Sequence, residues 1–547
     1  MGADKIHPGL LHLMERRRDK KMTRREFVRF AALLGVSAAG PATLWPGGLR
    51  KARADEGKIR RGGILKVASS LSPIRHPAVI DWIEPSNLLR QTGEYLTYTD
   101  HHNVTHPYLL ESWKASADLK TWTLRLKKGV RFNNGDELTA DDAAFSFAQW
   151  LDPDVGSSMI GLIGGYLSPS GVEKTGKYQL KLHLDRPEVG VPEHLFHYPA
   201  IVLNHRTFEG DFMKAPHGTG PYTIEEYREG ELCRLKRRKD YREKGADGKP
   251  LPYLDGMDFV DMGGKVEEYV SALQSRKVHI ADPGSTHSLQ IYEGVKSDFR
   301  IFIESIPSAN THVLRMRVDR PPWDDNRVRT ALKLCQHREK MLALAYHGEG
   351  VLGGDFHVCP IHPEYCEKPL PKFNPEKARA LLKEAGYTNG LDVRLTLGDN
   401  MERYGKILKS DSKKAGFRME LDLMPPGEYN RRWKEPALGI TGWKGRPLGG
   451  MALSLGYTAD KSGNPVPWNE TRWSDPEFDR LLKEANGTLD MERRGKIFCK
   501  LEDIQMKRGS IGLAWWDNSW LIMTGDVRGA SPHPSGYMTF NEAWLSK

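Results

Sequence analysis

Short runs with a two-residue hydrophobic period alternate along the chain with segments of helical period. In "KTWTLRLKKGVRF", Lys120–Phe132, residues Trp122, Leu124 and Leu126 fall on one face and predict a strand. "YQLKLHL", Tyr178–Leu184, has the same period, and "GGILKVASS", Gly62–Ser70, reads as an opening strand. "LTADDAAFSFAQWLD" switches to a helical spacing, with Ala143, Phe147 and Trp150 as the apolar stripe. Thr139 with Asp142 three residues on predicts a capping box at its start. Two later helices carry punctuation at both ends. "FNPEKARALLKEAGY" has Asn374, Pro375 and Gly386, and "WSDPEFDRLLKEANG" has Ser474, Pro476 and Gly487. The irregular alternation of strands and helices predicts an α/β or α+β chain with a mixed sheet. Residues 439–471, rich in Gly, Pro and Trp, show no clear period, and a long segment of that kind inside a compact protein is usually functional.

The N-terminal segment changes how composition is read. "KMTRREFVRFAALLGVSAAG", Lys21–Gly40, places two arginines before a short apolar run that ends at Pro41. A spanning helix needs about 20 apolar residues. A basic region, a short apolar run and the Ala52-Arg53-Ala54 site describe a removable export signal instead. Thr23–Arg29, "TRREFVR", resembles the twin-arginine motif. Residues 1–54 hold 12 Lys+Arg against 4 Asp+Glu. Subtracting them leaves 69 basic against 67 acidic residues, so a formal charge of +10 falls to +2. The basicity belongs to the address, and no electrostatic footprint for nucleic acid remains.

The 493 residues after the signal exceed one core and predict two or three domains. Five cysteines are too few for a disulfide scaffold. Cys359 and Cys366, flanking "PIHPEY", are the candidates for a local disulfide, while Cys233, Cys335 and Cys499 read as buried thiols.

Enzyme signatures are absent: no H-E-x-x-H, no G-x-S-x-G, no C-x-x-C. "GVEKTGKY" approaches a phosphate-binding loop, but Tyr178 stands where a hydroxyl for Mg²⁺ is needed and a strand follows, so a hairpin turn explains it better. His101, His102 and His106 lie close together without a carboxylate at ligand spacing, which favours solvated loop histidines over a metal site.

The order of blocks is more telling than any single motif. "GGILKVASS", "EYLTYTD", "LLESWKASADLKTWTLRLKKGVRFNNGDELTADDAAFSF", "HGTGPYTIEEYREGELCRLKRRKDY", "RPPWDDNRVRTALKLCQHREKML" and "FNPEKARALLKEAGY" run through the chain in that order. The series resembles the family 5 extracellular solute-binding proteins of bacterial ABC importers, which bind peptides, oligopeptides or nickel. The resemblance implies a bilobal α/β fold of the periplasmic-binding-protein type, with two mixed-sheet lobes, a hinge and an extra α+β subdomain. Lobe I is expected from 58–92, 218–305 and 515–547, the extra subdomain from 93–217, and lobe II from 306–514. Hinge strands are expected near Ile306–Val318 and Ser510–Trp520.

It also implies an exported, monomeric, non-enzymatic receptor without a cofactor, which captures a small solute or peptide and presents it to a membrane permease in the periplasmic space. An exported hydrolase on the same frame, or a nickel or metal-chelate binder using the three histidines, are the alternatives. Trp443, Trp515 and Trp516 are the candidate aromatic wall, although adjacent strand residues such as Trp515 and Trp516 point to opposite faces. Peptide-binding members often carry, shortly after the equivalent of Trp443, an aspartate that pairs with the peptide ammonium. "GWKGRPLGG" departs from this, with Arg446 three residues after Trp443 and no acid until Asp460. A guanidinium matches a carboxylate or phosphate, so Arg446, with Lys444 as a weaker candidate, predicts an anionic ligand such as a modified peptide.

Overall fold

The computed structural model describes residues 59–282 and 288–546. The segment resembling a twin-arginine signal lies outside the described residues.

An eleven-stranded mixed sheet runs through the molecule and is crossed near its middle by two long antiparallel strands, Ile301–Met316 and Ile511–Thr524. On one side of this pair lie Ile64–Ser69, Tyr222–Arg228, Leu232–Arg237, Gly256–Asp261 and Ile280–Ala281, which build lobe I. On the other lie Leu391–Gly398, Phe417–Met424 and Leu438–Trp443, which build lobe II. The crossing strands serve both lobes. Ile522 and Met523 pair with Ala281 and Ile280, whereas Thr311–Met316 pair with Leu438–Trp443. Register shifts at Pro307/Asn310 and Thr311/Val313 break the ladder between these two zones. Such irregularities bend a strand and re-aim its side chains, and here they fall where the lobes face each other.

A four-stranded antiparallel sheet with the helix Ala140–Leu151 forms a separate layer beside lobe I. Its helix begins as the sequence predicts: Thr139 and Asp142 form a reciprocal capping box, and Ala143, Phe147 and Trp150 are buried. Helix Pro375–Glu384 is capped by Asn374. In helix Pro476–Asn486 the cap is Asp475, not Ser474, because the helix starts one residue later and the Asp475 carboxylate accepts from the amides of Glu477 and Phe478. The aperiodic stretch 439–471 is more ordered than its pattern implies, since it contains the end of strand Leu438–Trp443 and the fully buried helix Gly449–Gly456. A helix buried all round has no polar face and so shows no amphipathic period.

The cysteine expectation is corrected. The disulfide joins Cys366 to Cys499, 133 positions apart with Cα atoms 5.2 Å apart, while Cys359 is a buried free thiol. Cys359 donates to the carbonyl of Ser308 on the first crossing strand. Cys233 and Cys335 are buried thiols as expected, and Cys499 is not.

Buried titratable groups dictate a pH optimum for stability. Burial pushes Glu193 and Glu502 up to about 8. It pushes His194 and His357 down to about 3 and His533 to about 4, with His197 moved the same way. Above about pH 6.5 the folded glutamic acids hold two protons that the unfolded chain has released, so raising pH towards 8 destabilises. Below it the unfolded chain protonates four histidines that the folded chain keeps neutral, so lowering pH also destabilises. Each group contributes about 1.4 kcal/mol per pH unit. The melting temperature is therefore expected to peak near pH 6 to 7, and Glu502→Gln to flatten the alkaline side. A thermal-denaturation series from pH 5 to 9 measures both, and a profile unaffected by Glu502→Gln rejects that assignment.

Candidate functional site

Strand Leu438–Trp443 carries the candidate site to the cleft by simple alternation. Leu438 and Ile440 enter the core of lobe II, and Thr441 and Trp443 face the opposite way. There a buried carboxylate, Glu470, accepts from Thr441 Oγ1 at 2.7 Å and from Trp443 Nε1 at 2.9 Å. Arg315 Nε, on the first crossing strand, lies 3.2 Å from the same carboxylate. The Trp443 ring is thereby tied to the hinge as well as packed on Tyr457, His357 and Trp468. The strand ends at Lys444-Gly445-Arg446. The Gly445 amide donates to Asn310 Oδ1 at 2.8 Å, and a side chain at 445 would run into the Pro534 carbonyl and the Ala309 backbone. Only glycine lets the turn sit against the crossing strand.

Three connected spaces lie between the lobes. The inner one is bounded by Asn310–His312 and Asp517–Trp520 of the crossing strands, together with Asp282, Tyr346 and Lys444. A second shares Ile83, Gly442, Trp443 and Lys444 with the first. Its walls are aromatic, with Trp82, Trp433, Trp443 and Trp468 joined by Tyr198 from the small subdomain, and Arg446 enters among them. Asp81, Trp82 and Trp433 connect it in turn to a wide outer space between Pro73–Pro85 and Pro425–Lys434.

Arg446 is only 3% exposed. Its guanidinium lies over the rings of Tyr198 and Trp468, at 4.6 and 5.4 Å. Among the described residues its hydrogen bonds run through Nη1, to the carbonyls of Lys444 and Gly445 at 2.7 and 3.1 Å and to Tyr198 Oη at 3.5 Å. Nε is buried without a partner, and among the described residues no carboxylate pairs with this side chain. The edge formed by Nε and Nη2 is the fork that binds a carboxylate in bidentate fashion. On the other side of the loop, His362 shares a 2.9 Å hydrogen bond with the Arg446 carbonyl.

Lys444 borders both inner spaces. Burial lowers its pKa, while Glu84, Asp517 and Asp282 pull it back. Asp517 accepts from Trp515 Nε1 at 2.5 Å and lies 3.2 Å from His312 Nδ1. Trp468 Nε1 donates to Asp81 Oδ1 at 2.7 Å across the cleft. Burial raises the pKa of Asp81, and the Trp468 hydrogen bond opposes that rise.

Of the sequence candidates, the structure brings Trp443, Lys444 and Arg446 together. Trp515 and Trp516 border neither inner space. Trp515 packs on Tyr404 and Tyr346 in the core of lobe II, and Trp516 packs on His357 and His362 in the opposite core. Their alternation on the strand sends them into the cores of two faces, and Trp515 Nε1 donates to Asp517 at the border of the inner space. Sequence reasoning missed Asp81, Trp82, Tyr198, Trp433 and Trp468, which come from unrelated segments with no spacing signal. His101, His102 and His106 sit at the hairpin between Thr97–Thr99 and Thr105–Pro107, where His106 pairs with Asp100 at 2.9 Å. None borders the inner spaces, and among the described residues no three His, Cys, Asp or Glu side chains converge to hold a metal ion. Nor, among these residues, is any helix long and apolar enough to cross a membrane.

Residues 104–464 match the family model described as bacterial extracellular solute-binding proteins, family 5, middle. The chain is 26% identical over 485 residues to di/tripeptide-binding protein 1 of Pseudomonas aeruginosa (strain UCBPP-PA14), covering 81% of this chain and 86% of that protein. Among solved structures it resembles the periplasmic binding protein DppA of Helicobacter pylori in complex with the peptide STSA, with TM-score 0.78, 20% identity, and coverage of 89% of this chain and 99% of that one. The binding protein AgaA of A. tumefaciens R10 in complex with agropinic acid superposes with TM-score 0.77 at 20% identity, over 88% of this chain and 99% of that one.

Proposed function

This chain belongs to the bacterial extracellular solute-binding proteins of family 5, and from that premise we propose that it captures a carboxylate-bearing, peptide-like solute between its lobes for an ABC importer. Members of the family are binding components of transporters rather than enzymes. In this reading the protein acts in the periplasm, exported by a twin-arginine signal, and delivers its ligand as a monomer to a membrane permease that drives import with ATP. The crossing strands act as the hinge between lobe I (58–92, 218–305 and 515–547, with the subdomain 93–217) and lobe II (306–514).

The observation that carries the ligand class is buried Arg446, which lines the aromatic space with its Nε left without a hydrogen-bond partner. A charged group held out of water without a counter-charge is costly, and a ligand carboxylate supplies that charge with matched geometry. Trp443, Trp82, Trp433 and Trp468 supply apolar walls around it, in the usual manner of a pocket with few placed polar groups. Lys444 adds a second cation beside the acidic inner space. Trp515 and Trp516 contribute through the hinge core.

Native mass spectrometry of the purified protein identifies a retained ligand. Each carboxylate-bearing candidate is then compared with its amide in a thermal-shift series. The amide is expected to bind at least about a hundredfold more weakly, the loss that follows when one partner of a buried charge pair is removed. Arg446→Ala is expected to erase that preference. Equal binding of acid and amide rejects the proposed ligand class.

A further inference from the structure

We propose that Arg446 also gates lobe closure, with Asp81 and Trp468 as the positioning pair that couples the anion site to the closed state; this rests on the reading of Arg446 as an anion site. Asp81 lies ahead of the lobe I helix Ile83–Leu89, and Trp468 lies in the lobe II segment after helix Gly449–Gly456. Their 2.7 Å hydrogen bond therefore exists only while the lobes are together. The same indole is one of the two rings that lie over the Arg446 guanidinium. Beside it, Trp82 of lobe I meets Trp433 of lobe II edge to face, with ring centroids 6.1 Å apart. Closure thus dehydrates Arg446 at the moment the Asp81–Trp468 bond forms.

With no anion present, closure leaves a guanidinium buried with Nε unpartnered. Breaking or omitting one half of a buried ion pair is strongly unfavourable because the remaining charge is uncompensated. The empty protein is therefore driven open by its own arginine, and an anion at the Nε/Nη2 edge removes the penalty. This couples recognition to shape, since a solute without the anion leaves closure opposed. A neutral residue at 446 abolishes the gate.

The test uses the full-length protein without ligand, so it is independent of the ligand's identity. Small-angle X-ray scattering is expected to show wild type in an open form. Arg446→Gln and Arg446→Met are each expected to be more compact, with the closed-to-open ratio raised at least roughly tenfold. Adding Trp468→Phe, which keeps the ring and deletes the N–H donor, is expected to reopen the Arg446→Gln protein. Asp81→Ala in the same background is expected to do likewise. Asp81→Asn retains a carbonyl acceptor and is expected to keep it closed, a rescue that a merely structural aspartate does not predict. In parallel, the Trp468 indole N–H signal in NMR is expected to gain protection from exchange only in the compact variants. If both Arg446 variants scatter like wild type, the gate is overturned, whether or not acids are still preferred over amides. If they close but Asp81→Asn opens them as Asp81→Ala does, the pairing of Asp81 with Trp468 is overturned.

Discussion

Glu470→Ala is expected to destabilise the protein by about 3–5 kcal/mol, the range for removing one partner of a buried ion pair. Glu470 accepts from Thr441 Oγ1 and Trp443 Nε1 and forms an ion pair with Arg315, whose Nε lies 3.2 Å from the carboxylate, all in a buried place. Its pKa is raised by burial and drawn back by Arg315. An ionised carboxylate accepts from both donors and balances the Arg315 charge, whereas a protonated one brings a proton into the same space. Arg315 is fully buried, and its remaining donors go to the carbonyls of Pro436 and Trp433. Without Glu470 its charge has no counter-ion there.

The consequence reaches the ligand as well as the fold. Trp443 loses the hydrogen bond that fixes its ring at the border of both inner spaces. Glu470→Gln keeps acceptor capacity and is expected to lose less. The double variant Arg315→Met with Glu470→Ala is expected to recover much of the stability without restoring the Trp443 bond. Chemical denaturation of the single and double variants measures the coupling. A Glu470→Ala protein within about 1 kcal/mol of wild type shows that the pair contributes little.

Removing the Cys366–Cys499 disulfide is expected to cost about 5 kcal/mol, from the chain-entropy relation for a loop of this length. The bridge closes 133 positions of chain and staples the segment after Cys359 to helix Met491–Arg508. That segment is a strap under the binding loop. His362 bonds the Arg446 carbonyl, and Glu364 accepts from the Gly449 amide at 3.1 Å and from Arg494 Nη2 at 2.6 Å. Cys366→Ser with Cys499→Ser is therefore expected to loosen the Arg446 loop while lowering the melting temperature. Denaturation with and without reductant measures the stability term. Hydrogen exchange at 359–371 and 444–450 reads the loop. Identical melting of oxidised and reduced protein overturns the prediction.

Why the pairing escaped the sequence is physical. Cys359 and Cys366 are near in sequence, but Cys359 Sγ donates to the Ser308 carbonyl while Cys366 is bonded to Cys499 of helix Met491–Arg508. Proximity along the chain says nothing about the direction of a side chain in an irregular segment. Regular elements behave differently, because their period carries the direction. The capping box at Thr139 and the stripe Ala143, Phe147 and Trp150 were legible for that reason, as was the Asn374 cap. Trp515 and Trp516 were half legible: their opposite facing follows from the strand, but that a packed core covers each of the two faces does not.

The local grammar of helices and strands, and the order of blocks that marks the family, are written in the residues themselves. The sequence also singled out one arginine, Arg446, standing where an acid is common among peptide binders. What surrounds that arginine is set by the fold. Asp81, Trp82, Tyr198, Trp433 and Trp468 are scattered over nearly four hundred positions, and Asp81 and Trp468 are 387 apart. A site built from loop residues at such separations leaves no period and no spacing, because it forms when two lobes meet across a hinge. The unpaired edge of Arg446 likewise follows from which carboxylates the fold keeps away from it, and a sequence records residues but not their distances.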